Sequence, residues 1–204
     1  MLWVDKYRPT RLDNLNYHQE ITDRLKALSS DKNIPHLLFY GPTGSGKKTR
    51  INALIRSIFG PTAERLRLDK RVFKTPTNRE IEINMVTSNV HIEISPGDAG
   101  IYDRYVIQDV IKEMASNRAL STLTNNQQGQ QGNTAYAADF KVVVLNEVDT
   151  LSKQAQASLR RTMEKYTSSC RLILCCTNQS RVIEPVRSRC LGIRVPAPSN
   201  DTVS

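Results

Sequence analysis

Short apolar runs alternate with amphipathic segments along most of the chain. Apolar runs at residues 37–40, 141–145, 171–176 and 192–195 are too short for helices and predict buried strands. Apolar positions at helical spacing predict helices at residues 20–28, 47–58, 102–115, 152–166 and 183–188. Strands that alternate with helices favour the α/β class, with a parallel sheet covered by helices and a ligand site at the carboxyl ends of the strands.

Three stretches depart from this alternation. Residues 65–94 switch between apolar and polar positions, and they predict strands joined by a turn at Pro76. Residues 3–8 are interpreted as extended chain ending at Pro9. A stretch rich in Gln, Asn and Gly cannot build a core, and it predicts a flexible insertion at about residues 121–137. We therefore expect one domain over residues 1–198, followed by a short tail over residues 199–204.

The composition of the chain says more about its binding partners than about its fold. The chain has 204 residues, and 29 Lys and Arg against 20 Asp and Glu give a net charge of +9. Such an excess favours polyanions such as nucleic acid, but it also suits an acidic protein surface. No apolar run approaches the roughly 20 residues of a membrane span, and the start lacks a secretory pattern, so we expect an intracellular protein with no membrane partner. The four cysteines include no Cys-x-x-Cys pair, which argues against zinc and against a disulfide framework.

The strongest motif follows the first apolar run. Residues 41–47 have the sequence Gly-Pro-Thr-Gly-Ser-Gly-Lys between a predicted strand and a predicted helix. The backbone N–H groups of such a loop point at phosphates, and Lys47 would reach the outer phosphates as a point charge. The alternative is a glycine-rich turn with a chance lysine. We predict a nucleotide site formed by Pro42, Thr43, Gly44, Ser45, Gly46, Lys47, Lys48 and Thr49.

Two groups that handle magnesium in nucleotide-hydrolysing proteins are replaced. The position after Lys47 usually carries a hydroxyl and is here Lys48, while the strand end that usually carries Asp is here Asn146. Thr49 lies about 100° further round the helix and does not replace the hydroxyl. Glu147 is a candidate base for activating water, but without an organised metal it would contribute little. The sequence predicts that ATP or ADP binds, with weak or absent hydrolysis and doubtful magnesium binding.

Three further motifs carry a resemblance to a known family. Residues 3–9 are Trp-Val-Asp-Lys-Tyr-Arg-Pro, residues 160–166 are Arg-Arg-Thr-Met-Glu-Lys-Tyr, and residues 188–190 are Ser-Arg-Cys. Together they resemble the small subunits of replication factor C, the eukaryotic sliding-clamp loader of the AAA+ class, and most closely the small subunit with a degenerate nucleotide site. The resemblance covers nearly the whole chain and implies an AAA+ P-loop core. The lid and collar that follow this core in the family are expected to be absent from a chain that ends at Ser204.

The resemblance also implies partners and a location. In the family, five subunits form a spiral that opens the ring-shaped sliding clamp PCNA and places it on primer–template DNA in the nucleus. The expected partners are therefore the other replication factor C subunits, PCNA and primer–template DNA.

The same resemblance implies roles for individual residues. Val4, Tyr7, Arg8 and Pro9 would lie along the adenine. Arg189 would be an arginine finger that completes the site of the neighbouring subunit, and the alternative is that it pairs with a local carboxylate.

Other positions are suggested by the resemblance with a plainer alternative beside each. Arg160, Arg161 and Glu164 would lie near the same subunit interface, or they form a solvated helix face. Thr177 stands where the family usually has Asn, which puts sensing of the γ-phosphate in doubt. Contacts to the DNA backbone are suggested for Arg104, Gln108, Lys112 and Lys153, each of which is otherwise an ordinary exposed side chain.

Two other functions stay open beside the clamp-loader subunit. An active AAA+ DNA-remodelling or helicase-loader ATPase would tolerate Lys48 and Asn146, and turnover by the isolated chain with magnesium would identify it. A scaffold with an empty pocket would copurify with no nucleotide.

Overall fold

One mixed sheet of seven strands runs through the computed structural model, which describes residues 3–31, 34–74, 80–125 and 140–198. The strands are β1 (Leu37–Tyr40), β2 (Arg67–Lys74), β3 (Glu80–Thr87), β4 (His91–Ile94), β5 (Lys141–Leu145), β6 (Cys170–Cys176) and β7 (Leu191–Arg194). Their order across the sheet is β2-β3-β4-β5-β6-β1-β7.

Most of the sheet is parallel, as the sequence predicts. Strands β4, β5, β6, β1 and β7 run parallel, whereas β2 and β3 extend the sheet antiparallel beside β4. Because parallel strands end at the same edge, the segments that follow β1, β4, β5 and β6 meet there. Those segments carry the loop at residues 41–46 together with Ser95, Asn146 and Thr177.

Six α-helices lie in the described part of the chain. They are α1 (Trp3–Lys6), α2 (Gln19–Ser30), α3 (Lys47–Phe59), α4 (Asp103–Asn125), α5 (Lys153–Tyr166) and α6 (Glu184–Arg187). Helix α5 has a well-formed start, because the Ser152 hydroxyl accepts from the Ala155 amide as its N-cap. Gly60, which has φ 71°, is the C-cap that follows the last residue of helix α3.

Two hydrophobic cores lie on the two faces of the sheet. Side chains alternate along a strand, so β5 sends Val142 and Val144 into one core and Val143 and Leu145 into the other. The first core contains residues of α2 and α3, including Leu25, Ile51, Leu54 and Ile58. The second contains residues of α4 and α5, including Val106, Ile107, Val110, Leu159 and Met163. Helices on both faces explain why β5 after Lys141 and β6 after Arg171 are continuous apolar runs instead of alternating with polar residues.

The helices and strands predicted at residues 20–28, 37–40, 47–58, 141–145, 152–166, 171–176, 183–188 and 192–195 are confirmed to within a few residues. Strands also form within residues 65–94, although the predicted turn at Pro76 lies outside the described residues. Helix α4 continues past the predicted end at residue 115 and covers residues 121–125 of the expected insertion. Residues 126–137 and the tail at 199–204 lie outside the described part of the chain.

The predicted extended segment at residues 3–8 is wrong, because residues 3–6 form α1. The Tyr7 amide donates to the Trp3 carbonyl at 3.0 Å, and this helical turn brings the two rings to a centroid distance of 5.7 Å. Pro9 restricts the residue before it and has no effect on a turn that ends at Lys6.

His36 lies just before β1 and hydrogen-bonds to the two neighbouring strands, β7 and β6. We expect it to make the stability of the domain depend on pH. Its carbonyl accepts from the Leu191 amide at 2.8 Å, and its Nδ1 accepts from the Leu172 amide at 3.0 Å. Burial, together with the nearby charge of Arg171, lowers the pKa of His36. Burial likewise lowers the pKa of His91. The folded state therefore keeps these rings neutral under conditions in which the unfolded chain binds protons.

We expect the free energy of unfolding to fall as the pH is lowered below about 6.5, the value for an unfolded histidine. One such histidine contributes at most about 1.4 kcal/mol per pH unit in that range, and nothing above it. Urea unfolding across this range should show a smaller slope for His36→Gln, with the slope from His91 remaining. An unchanged slope in His36→Gln would contradict the assignment.

Candidate nucleotide site and neighbouring surfaces

The phosphate-binding loop joins β1 to α3. Gly46 is the N-cap of α3 with φ 79°, in the left-handed region, and its carbonyl accepts from the Arg50 amide at 3.1 Å. Helix α3 therefore begins at Lys47. The first N–H groups of a helix have no partner within it, and this makes a helix start suited to phosphate.

Tyr17 and Arg50 support the loop from the core side. Arg50 is fully buried, and its guanidinium carbon lies 4.7 Å from the centroid of the Tyr17 ring. The guanidinium also donates to the Tyr17 carbonyl at 2.6 Å and to the Thr22 hydroxyl at 3.0 Å. A Cβ on Gly46 would lie 2.1 Å from the Tyr17 hydroxyl, so a side chain at this position would force Tyr17 to move. This support was not predicted from the sequence, although an arginine on the apolar face of a predicted helix was the available signal.

Lys47 lies along the loop. Its ammonium donates to the carbonyl oxygens of Gly41 at 2.7 Å and Pro42 at 2.8 Å. A charged phosphate is a stronger acceptor than a carbonyl, so a bound phosphate would compete successfully for this ammonium.

A cavity of about 540 Å³ lies between the loop and the strand ends. It brings together residues that the sequence assigned to nucleotide: Arg8, Thr43, Gly44, Gly46, Lys47, Lys48, Thr49, Asn146, Glu147 and Thr177. Ser95, Cys175 and Cys176 also line it. Their chemistry gave no signal in the sequence, because their place depends on which strands lie side by side.

Some predicted nucleotide residues lie elsewhere in the described part of the chain. Tyr7 is 65% exposed, and Ser45 is fully buried and is not in the cavity lining. Pro9 lines a second cavity of about 470 Å³ beside α3. Pro42 contributes its carbonyl to Lys47 without lining the cavity. The side chain of Val4 lies outside the described residues.

Lys48 forms an ion pair with Glu93, a residue that the sequence analysis did not assign to the site. Glu93 lies on β4 and is only 6% exposed. The same carboxylate oxygen, Oε1, accepts from the side-chain amide of Asn146 at 2.8 Å. A glutamate inside a predicted buried strand was the signal for this contact, since buried carboxylates need a cationic or hydrogen-bonding partner.

These residues do not fit a magnesium ion. Magnesium requires oxygen ligands in near-octahedral geometry. Here the helix position offers an ammonium and the strand end offers an amide, and both already contact the Glu93 carboxylate. A second cation at that oxygen would be repelled by the ammonium.

Glu147 lines the cavity beyond Asn146, and Asp149 lies two residues further along the chain. Glu147 has φ 53°, in a region that non-glycine residues seldom occupy, and Thr150 donates to its carbonyl from both amide and hydroxyl, at 3.0 and 2.7 Å. The Glu147 side chain is exposed and lines the cavity. Asp149 accepts from the amides of Thr177 and Asn178 at 3.2 and 3.0 Å, and so holds the end of β6 against the end of β5.

Two cysteines of β6 border the cavity as neutral thiols. Burial raises the pKa of Cys175 to about 11 and the pKa of Cys176 to about 12. They carry no charge at neutral pH that would repel a phosphate.

Arg189 lies outside the lining of this cavity, on the surface formed by α5 and α6. Its Nε and Nη2 donate to the Glu164 carboxylate at 3.0 and 2.6 Å, and its Nη1 donates to the Pro185 carbonyl at 2.7 Å. The hydrogen bond from Arg189 and a weaker one from Arg160 lower the pKa of Glu164. The local carboxylate that the sequence left as an alternative partner is therefore present, in an exposed ion pair.

The predicted DNA-contacting residues only partly come together. Arg104 and Gln108 of α4 line a cavity of about 210 Å³ together with Arg161 of α5. The side-chain amide of Gln108 donates to the Ser158 hydroxyl at 3.2 Å across this cavity. Lys112 and Lys153 are not in its lining.

A comparison of folds defines the class of the protein. The RuvB Holliday junction branch migration motor of Thermotoga maritima matches with a TM-score of 0.52 and 18% identity, over 93% of this chain and 48% of that chain. At this identity the likeness concerns the fold alone. The mostly parallel sheet, the glycine loop and the cavity at the strand ends define a P-loop domain with the AAA+ fold, as predicted.

Sequence comparison gives the family. Residues 17–199 match the family described as DNA polymerase III, delta subunit. Curated relatives include probable replication factor C subunit 3 of Dictyostelium discoideum, 52% identical over 204 residues, and replication factor C subunit 5 of Oryza sativa subsp. japonica, 53% identical over 206 residues. Human replication factor C subunit 3 is 50% identical over 202 residues. The chain belongs to this clamp-loader family, and the predicted resemblance to replication factor C small subunits is confirmed.

The chain spans about half the length of the curated relatives it matches. The matches cover 100% of this chain and 55% of the Dictyostelium and rice proteins, and 99% of this chain and 53% of the human protein. Within the described residues, no helix has both the length and the apolar composition needed to cross a membrane.

We expect Gly46→Ala to destabilise the domain more than Gly44→Ala. The two glycines have φ of 79° and 81°, so both substitutions carry the strain of a left-handed backbone, about 1–2 kcal/mol. A Cβ on Gly44 meets nothing within 4 Å, whereas a Cβ on Gly46 overlaps the Tyr17 hydroxyl. The overlap should lower the free energy of unfolding by roughly a further 1–3 kcal/mol, measured in urea.

Tyr17→Phe in the Gly46→Ala background is the matched control for this prediction. It removes the overlapping hydroxyl and leaves the ring against Arg50. We expect it to recover most of the additional loss, and equal losses for the two glycine variants would contradict the described contact.

Proposed function

We propose that the chain acts as a small subunit of the replication factor C clamp loader, binding nucleotide with little or no hydrolysis of its own. Its partners would be the other subunits of a heteropentamer, the sliding clamp PCNA and primer–template DNA, in the nucleus. Relatives named replication factor C subunit 3 or 5 support the assignment, with identities near half over the whole chain. One observation carries the proposal that the chain binds nucleotide but hydrolyses little of it: the loop lysine Lys47 is intact, and it lies beside Lys48 and Asn146.

Nucleotide binding is supported by the loop and by Lys47. The loop ends at the start of α3, and Lys47 is within the lining of a cavity large enough to hold a nucleotide. ATP or ADP would place its phosphates at this helix start. Arg8 is the described residue of the N-terminal segment that borders the same cavity, which makes it the candidate contact outside the phosphates.

Weak hydrolysis is supported by the groups around Lys48. Phosphoryl transfer depends on a metal that bridges the phosphates and neutralises developing charge. Lys48 is an ammonium and cannot coordinate a metal, and both Lys48 and the Asn146 side-chain amide contact the Glu93 carboxylate. Glu147 lines the cavity, but a base that activates water has little to act on when the phosphates are not organised for attack.

We expect the chain to bind ADP while turning over ATP far more slowly than about 1 s⁻¹, the low end of ordinary enzymes. Lys47→Ala should weaken ADP binding about tenfold or more, because a charge-assisted hydrogen bond contributes about 1.5–3 kcal/mol. Calorimetric titration and a phosphate-release assay check the two parts. Lys70→Ala, an exposed position on β2, is the matched control.

The outcomes separate the competing functions. Ordinary turnover with magnesium would favour an active AAA+ motor over the proposed subunit. Absence of ADP binding in the folded chain would favour a scaffold with an empty pocket.

Arg189 is proposed as an arginine finger for the neighbouring subunit's site. It lies outside the lining of this chain's own cavity, on the exposed surface of α5 and α6. Its side chain is 32% exposed, and its exposed partner Glu164 would hold the guanidinium weakly. A phosphate on an adjacent subunit is a suitable competitor for the planar guanidinium, since arginine binds phosphate through two parallel hydrogen bonds.

Arg189→Ala in the assembled complex should lower hydrolysis at the one adjoining site by two or more powers of ten, in line with about 10³–10⁵ for known arginine fingers. Single-turnover ATP hydrolysis should lose the amplitude of that site, and clamp loading should fall with it. Arg189→Lys keeps the charge and loses the fork, so we expect it to rescue little. Arg24→Ala, exposed on α2, controls for loss of positive charge. Unchanged amplitude and loading in Arg189→Ala would refute the role.

DNA contact is proposed for the cavity between α4 and α5. Arg104 and Arg161 place two guanidinium groups in the lining beside Gln108. Asp103 accepts from the Ser152 amide at 2.8 Å and thereby fixes the start of α4 against the start of α5. This arrangement suits a sugar–phosphate backbone, and the contact would be independent of base sequence.

A further inference from the structure

The Lys48 ammonium is held at the wall of the nucleotide cavity by a carboxylate from another strand. Lys48 lies in the first turn of α3, next to Lys47, and both line the cavity. Glu93 reaches Lys48 from β4, and Asn146 reaches the same carboxylate oxygen from the end of β5. Three segments distant in the chain therefore meet at one atom, Glu93 Oε1.

Burial makes this arrangement difficult to exchange for a metal. The Glu93 side chain is 7% exposed, so its negative charge requires a nearby positive charge. The ammonium supplies that charge as part of the chain. A divalent ion would have to displace the ammonium from this carboxylate, and it would then be the positive charge beside Glu93.

Lys48 nevertheless retains access to the cavity. Its side chain is 53% exposed, and an ammonium has three N–H donors, of which the Glu93 contact uses one. A phosphate in the cavity would therefore face two neighbouring ammonium groups, those of Lys47 and Lys48. Both supply charge-assisted hydrogen bonds without a metal ion.

We propose that Lys48, positioned by Glu93, takes the place of the magnesium ion, so that this pocket binds a nucleoside diphosphate or triphosphate independently of magnesium. The inference rests on the proposed nucleotide binding and adds the physical reason why binding needs no metal. Lys48 is the phosphate-binding group, and Glu93 is its positioning residue.

Calorimetric titration of the chain with ADP, once with millimolar magnesium and once with excess EDTA, tests the proposal directly. We expect the affinity for ADP in EDTA to equal the affinity in magnesium or to exceed it by up to about threefold. A loss of about tenfold or more in EDTA would overturn the proposal and leave the proposed nucleotide binding intact. Absence of binding under both conditions would overturn the proposed function itself, together with the inference that rests on it.

Substitution of Lys48 should convert the pocket to magnesium dependence. Lys48→Thr restores a hydroxyl at the helix position and leaves Glu93 as an uncompensated carboxylate that can hold a cation. We expect ADP to bind to this variant about tenfold or more weakly in EDTA than in magnesium. Lys70→Thr, an exposed substitution of the same type on β2, should show no such dependence.

A double variant tests the part played by Glu93. Lys48→Thr with Glu93→Gln removes the carboxylate that would hold the ion, and the gained magnesium dependence should disappear. Equal dependence in the single and double variants would overturn the assignment of Glu93 as the carboxylate that holds the cation when Lys48 is absent. Thermal unfolding of each variant confirms that it is folded, and the EDTA comparison on the unsubstituted chain decides the main proposal whether or not the variants fold.

Discussion

A carboxylate buried in a sheet must be neutralised, and much of the nucleotide cavity follows from that requirement. Glu93 is held inside β4, and its oxygen Oε1 receives both the Lys48 ammonium and the Asn146 amide. Two departures from the usual P-loop pattern, far apart in the chain, are therefore contacts of one side chain. Removing one partner would leave the buried Glu93 carboxylate poorly compensated, which destabilises the fold.

The loop is held in place from the opposite side. Arg50 and Tyr17 fill the space behind Gly46, so the first turn of α3 is fixed by core contacts while its lysines line the cavity. Successive residues of a helix project about 100° apart. As a result, Lys47 contacts the loop carbonyls, Lys48 contacts Glu93, and Arg50 contacts the core. The first turn of α3 therefore contributes to the stability of the domain through Arg50 and to the geometry of the site through Lys47 and Lys48.

The sequence predicted the parallel part of the fold well, because its strands are short apolar runs and its helices have clear apolar faces. The prediction of an extended N-terminal segment was wrong, since one helical turn has too few residues for periodicity to identify it. In the site, most of the loop residues line one cavity with Lys48, Asn146, Glu147 and Thr177, while Pro42 and Ser45 do not. Glu93, Ser95 and the supporting pair Tyr17 and Arg50 did not follow from the pattern. Their roles depend on strand order and on contacts between segments distant in the chain.

The sequence by itself determined the class of fold, the phosphate-binding loop and the loss of two metal-handling groups, because these depend on local spacing and on the chemistry of single residues. The tertiary structure alone decided what replaces those groups. Strand order sets β4 beside β5, and the register pairs Glu93 with Val144 and Ile94 with Leu145. Asn146 then follows directly, next to Glu93 and within reach of Lys48. Such a meeting of three segments is fixed by hydrogen bonding between strands, which no local pattern in the chain encodes.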